Sequence, residues 1–231
     1  MGCTICATTA LPAMPISVNA ESNPKEAFLM KPILYLAAFL LARPALAHHP
    51  TGGEAPQTVF HGLISGLAHP VIGLEHLAFI VLIGLAAAVS GRVLAGPGAF
   101  IGATLLGTAL HLAGLVLPLA EWVILGSVLG LGALLVTGHR VAGPVALTGF
   151  ALAGVFHGWA YGAAVIGATP MPVFAYLLGF GAIQFAIAAG IALVAGRVLQ
   201  RDPAPARLAA AICMGVGLAF LFQTVEPMIF A

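Results

Sequence analysis

Charge is what this sequence has least of. Asp, Glu, Lys and Arg together make up 6% of its 231 residues, whereas 61% are hydrophobic and the mean hydropathy is +1.11. Water-soluble domains carry about 25% charged residues, so a surface this poor in charge excludes a soluble domain and indicates an integral membrane protein. Eight basic and seven acidic residues give a net charge of +1, and the arginines are scattered, which excludes a basic face for nucleic acid. Cysteine is scarce as well, with three residues in all, and this argues against a soft thiolate metal site. Cys3 and Cys6 form a bare C-x-x-C near the N-terminus, and Cys213 stands alone in an apolar segment as a small packing residue. There is no G-x-x-x-x-G-K-[ST], so the chain hydrolyses no nucleotide through a P-loop, and no H-E-x-x-H of a zinc hydrolase.

From Met30 the chain reads MKPILYLAAFLLARPALAHHP. A basic start at Lys31, an apolar run from Ile33 to Ala42 and the small-x-small triplet Ala45-Leu46-Ala47 make residues 30–47 a cleavable signal peptide. Residues 1–29 resemble neither signal nor helix and are read as a non-native extension ahead of a start at Met30. Residues 48–231 then form a single membrane domain of all-α class, a polytopic bundle of six transmembrane helices. The expected spans are Leu74–Ser90, Pro97–Leu117, Glu121–Gly138, Val141–Gly162, Pro172–Gly196 and Ala206–Glu226, each near the roughly 17–25 residues a crossing needs. A shorter apolar piece, Val59–Ala68, stops before His69-Pro70, where the residue ahead of proline resists helical geometry. It is expected to be a re-entrant or surface half-helix.

Arginine sets the orientation. With the mature N-terminus outside, the inner connections carry Arg92, Arg140, Arg197, Arg201 and Arg207, which is every Lys and Arg after the signal. This satisfies the positive-inside rule and places both mature termini on the outer side of a bacterial inner membrane. Imidazoles and carboxylates then concentrate in the outer half: His69, Glu75 and His76 at the mouth of the first span, His111 about one and a half turns inside the second, Glu121 at the start of the third, and His157 with Tyr161 in the last turns of the fourth.

Ionisable groups within a bilayer are costly and mark a pathway or a site. In the stretch HPVIGLEH, His69 suits a helix cap and Pro70 the first helical position. A helix starting there aligns His69, Gly73 and His76 on one face, with Gly73 as a notch between imidazoles about 10 Å apart along the axis. Glu75 then points away from His76, toward Phe79. Imidazole with carboxylate suits zinc, copper, iron, nickel or cobalt. Ser127 and His157 have the residue types of an intramembrane hydrolase dyad, but Ser127 sits mid-span among small residues, where packing is the usual role. The residues alone thus describe a non-enzymatic, cation-collecting membrane protein without a resident cofactor, in which transport outweighs catalysis.

The pattern His69-Pro70-x-x-Gly73-x-Glu75-His76 resembles the signature of the HupE/UreJ family of nickel (and cobalt) permeases, which reads His-Pro-x-x-Gly-x-Asp-His after a cleaved signal. The likeness runs over about residues 48–230, and includes Leu117, Pro118, Glu121, Ser127 and Phe156-His157-Gly158. It implies uptake of Ni²⁺ or Co²⁺ as cargo, with His69, Glu75, His76 and His157 as metal-handling residues. Pro70, Gly73 and Gly158 are implied as structural motif positions, and His111, Glu121, Tyr161 and Gln184 are pathway candidates. A link to nickel enzymes such as hydrogenase or urease follows from the resemblance only. Glu75 replaces the family's aspartate, and His157-Gly158-Trp159-Ala160-Tyr161-Gly162 replaces H-G-H-A-H-G. Ala188 stands where a fifth-span histidine is usual, with Gln184 one turn earlier as the nearest polar side chain. The alternative reading is a non-transporting metal sensor or metallocentre-assembly accessory protein.

Overall fold

The computed structural model describes residues 55–139 and 142–230. Seven α-helices account for most of them: α1 (Val59–Ile72), α2 (Leu74–Val89), α3 (Ala95–Leu112), α4 (Ala120–Thr137), α5 (Gly143–Gly162), α6 (Pro170–Val198) and α7 (Ala204–Phe230), with a short 3₁₀ turn Ala163–Val165 after α5. No strand occurs among the described residues. The segments expected to be a signal peptide and an N-terminal extension, and His48-His49, lie outside them.

Four helices, α3, α4, α6 and α7, are each long and apolar enough to cross a membrane. A fifth crossing is available if α1 and α2, bent by 78° at their junction, act as one broken span. The count of six expected from the sequence is therefore reached only by also including α5 and treating α2 as complete. α2 has just 16 residues, and the 20 residues of α5 include His157, Trp159, Tyr161 and five glycines.

α2 is the pillar of the bundle. It packs against each of the other six helices, and nine of its residues, from Ala78 through Ala87, are buried. An apolar residue on every face is what such a position demands. Around it, α3 pairs closely with α5 and α1 with α6. The α3–α5 crossing is made by glycines: a methyl group on Gly158 would overlap the Thr104 backbone, and one on Gly107 the Val155 carbonyl. The Thr108 hydroxyl closes the same crossing by donating to the Gly158 carbonyl at 2.8 Å.

Two sequence expectations are corrected here. Helix α1 does not stop before His69; it runs through Pro70, which is inside the helix and buried, and ends at Ile72. Tertiary packing overrides the local penalty, because Gly62 and Gly66 lay this helix directly on the α6 backbone at Pro172 and Tyr176. The break falls instead at Gly73, with φ −74° and ψ 101°. Helix α3 ends at Leu112 rather than Leu117, with Gly114 at φ 81° just beyond it, the left-handed conformation by which glycine closes a helix. His111 therefore lies in the last turn.

The two ends of the bundle differ in chemistry. Arg92 lies against Gly143 and Arg207 against Gly138, so the α2–α3, α4–α5 and α6–α7 connections share one end. The α1–α2 junction, the ends of α3 and α5 and the starts of α4 and α6 share the other.

Candidate functional site

The break at Gly73 creates the site. Because the chain turns there, the imidazoles of His69 and His76 stack with centroids 5.9 Å apart, instead of being spread along one straight helix. Glu75 does not point away: its Oε1 lies 3.2 Å from His76 Nε2, and both side chains are largely covered. The backbone angles of Gly73 are open to any residue, but space is not. A Cβ there would stand 2.6 Å from His76 Cδ2, so glycine lets the His76 ring fold back toward α1.

Two further helices close over this pair. From α5, the Tyr161 ring meets His76 at 4.3 Å and His69 at 5.4 Å. His157, one turn earlier on α5 and fully buried, lies 6.1 Å from His76. From α6, Tyr176 approaches His69 at 6.1 Å. On the same face of α6 follow Phe180, Gln184 and Ala188, at four-residue steps and all fully buried. The site is thus a ladder of rings that descends from the α1–α2 junction into the bundle.

Several buried polar atoms of this ladder have no hydrogen-bond partner among the described residues: Glu75 Oε2, His157 Nδ1, the hydroxyls of Tyr161 and Tyr176, and both amide atoms of Gln184. Buried polar atoms are nearly always paired, so this concentration sets the ladder apart from the apolar core around it. No three His, Cys, Asp or Glu side chains among the described residues converge as a ready-made ligand set. The arrangement offers successive donors, from rings, phenols and one carboxylate.

His157 is the most tightly held member. Phe79 of α2 stacks on its face at 4.2 Å with the planes 12° apart. Its Nε2 lies 3.0 Å from the Ser127 hydroxyl of α4. That hydroxyl also donates to the Ile124 carbonyl at 2.7 Å. A serine has one proton to give, so the Ile124 and His157 contacts are both hydrogen bonds only when Nε2 is the donor toward Ser127. A nucleophilic serine needs the reverse polarity, its proton directed at the bare nitrogen of the base. The geometry therefore opposes a hydrolytic dyad, although the two side chains do meet. Beneath them an apolar cavity of about 270 Å³ runs between α2, α4 and α5 from Phe79 and Ser127 to His139.

A family model, HupE / UreJ protein, matches residues 36–220. The chain belongs to the HupE/UreJ family. Over 124 residues it is 33% identical to Protein HupE of Rhizobium leguminosarum bv. viciae, an alignment that covers 53% of this chain and 62% of that protein. The chain thus spans less than two thirds of that relative's length. No solved structure matches.

Of the candidates read from the sequence, the fold brings together His69, Glu75, His76, His157 and Tyr161, and sets Gln184 deeper on the α6 face that carries Tyr176. It does not bring in Glu121, which is exposed in the first turn of α4. His111 is also apart: its ring packs on Trp159 at 4.5 Å, and its side chain lies over Gly162. Tyr176 and Phe79 are the residues that sequence reasoning missed. Tyr176 carries one legible signal, its place two helical turns before Gln184 on one face of α6. Phe79 carries none, because an aromatic in an apolar helix looks like core.

Proposed function

We propose that this protein is a secondary permease for the uptake of a divalent transition-metal cation, Ni²⁺ or Co²⁺. The cation enters at His69, Glu75 and His76, passes Tyr161 and His157, and continues toward Gln184. The observation that carries this reading is the bend at Gly73, which gathers two imidazoles and a carboxylate at the mouth of a buried column of unpaired donors. Membership of the HupE/UreJ family supports the same cargo, since imidazole and carboxylate donors suit borderline divalent ions.

In this reading α1 is a re-entrant half-helix, and the other six helices cross a bacterial inner membrane, α2 and α5 included. Those two can be short or polar because they are sheltered by neighbours. The arginine-bearing end faces the cytoplasm, which puts the imidazole mouth outside, and a signal peptide delivers the mature N-terminus to that side. Without a nucleotide motif the ion follows the membrane potential, worth about 2.3 kcal/mol per charge per 100 mV, or is coupled to protons.

The test is uptake of radiolabelled Ni²⁺ and Co²⁺ into proteoliposomes, comparing the wild type with His76→Ala. Saturable uptake that is lost in the variant is expected. Binding in detergent with no flux would instead identify a metal sensor or metallocentre-assembly accessory protein.

A further inference from the structure

His157 is held on two sides, and the two restraints have a joint consequence. The Phe79 ring fixes the plane of the imidazole by stacking at 4.2 Å. The Ser127 hydroxyl oxygen lies 3.0 Å from Nε2 and 2.7 Å from the Ile124 carbonyl oxygen. The hydroxyl has spare lone pairs but no second proton. Both contacts are hydrogen bonds only when Nε2 carries the hydrogen, which in neutral imidazole leaves Nδ1 bare, whereas the other tautomer would bury an Nδ1–H with no acceptor among the described residues. Nδ1 is buried, and no group among the described residues donates to it. It retains a lone pair inside the bundle, on the helix that also presents Tyr161 to His76.

We infer that Ser127 is a positioning residue: it holds His157 in the tautomer protonated at Nε2, and so presents Nδ1 as the atom that takes the passing cation. The inference deepens the permease reading and rests on it. A group bonded to one imidazole nitrogen selects which nitrogen is left to bind metal. Ser127 does this from α4, a helix that otherwise gives the site nothing, which makes α4 part of the transport machinery through a single hydroxyl.

The experiment combines metal binding with a direct reading of the ring. Co²⁺ binding to the detergent-solubilised full chain is measured for the wild type, Ser127→Ala, Ser127→Thr, His157→Asn and His157→Gln. Loss of such an outer partner typically weakens metal affinity roughly 10–100-fold, and that loss is expected for Ser127→Ala, with Ser127→Thr near wild type. His157→Asn, whose amide reaches about as far as Nδ1, should keep more affinity than His157→Gln, whose amide reaches about as far as Nε2. Wild-type affinity in Ser127→Ala, equal losses in the alanine and threonine variants, or stronger binding by the glutamine variant would each overturn the inference. The ¹⁵N shifts of His157 in metal-free protein, assigned by comparison with His157→Asn, give an independent answer. A protonated Nε2 with a bare Nδ1 is expected, and the opposite tautomer would sink the idea. If the wild type moves neither Ni²⁺ nor Co²⁺, the permease reading fails, and the ¹⁵N shifts still decide the tautomer.

Discussion

His69 and His76 are seven residues apart in the chain, yet their rings stack at 5.9 Å. On one straight helix the same separation would spread their backbones about 10 Å along the axis. The chain reaches the closer arrangement by breaking at Gly73, and the space left by the missing side chain is filled by the His76 ring.

Gly73→Ala is therefore a test of the mouth alone. The added methyl group meets the His76 ring and not backbone, so the fold survives while the imidazole is displaced. Thermal unfolding in detergent should change little, and uptake of Co²⁺ at low concentration should fall sharply. Unchanged uptake would show that the pairing of His69 and His76 is not used.

Glu75 reaches His76 Nε2 with Oε1 at 3.2 Å. Glu75→Gln keeps the length and loses the charge, whereas Glu75→Asp keeps the charge and draws it back by one methylene. A hydrogen bond to a charged group contributes about 1.5–3 kcal/mol, and 1.4 kcal/mol is tenfold in affinity. The glutamine variant should raise the apparent KM for uptake roughly 10–100-fold, with the aspartate variant in between. Concentration-dependent uptake rates check both.

Tyr161 and Tyr176 bury hydroxyls that find no hydrogen-bond partner among the described residues. An unsatisfied buried polar group costs about 1–3 kcal/mol, so Tyr161→Phe and Tyr176→Phe should leave the unfolding temperature unchanged or raise it. Uptake should fall in both. A lower unfolding temperature would mean that the hydroxyls serve the fold.

Gly158→Val makes the opposite case. The new side chain would overlap the Thr104 backbone of α3 and disturb the Thr108 bond to the Gly158 carbonyl. Overpacking costs about 1–3 kcal/mol, so this variant should unfold earlier in a detergent melt and lose uptake along with its fold. Full stability would show that α3 and α5 can part without penalty.

Much of this was legible in the residues. The close of α5 at Gly162 and the gathering of Arg92 and Arg207 at one end of the bundle follow from local patterns of polarity, glycine and proline, whereas the break at Gly73 replaces the continuous helix expected from Pro70 to His76. His69, Glu75, His76, His157 and Tyr161 stand out because ionisable and polar side chains are rare in this chain. Relations set by distant neighbours were not legible. The passage of α1 through Pro70 depends on its seat against α6, more than a hundred residues away in the chain. The recruitment of Tyr176 depends on the same contact. Ser127 and His157 could be named as a pair, but the polarity of their bond needed the Ile124 carbonyl, which only the folded helix supplies.

The central place of α2 also bears on how the protein is made. Its 16 residues rise about 24 Å, less than the roughly 30 Å of hydrocarbon in a bilayer. It therefore settles amid partners rather than in lipid, and two of its principal partners, α6 and α7, lie far downstream of it, from Pro170 onward. The segment that carries His76 and Phe79 is translated before the helices that enclose it, so its packing is completed only once they have been made.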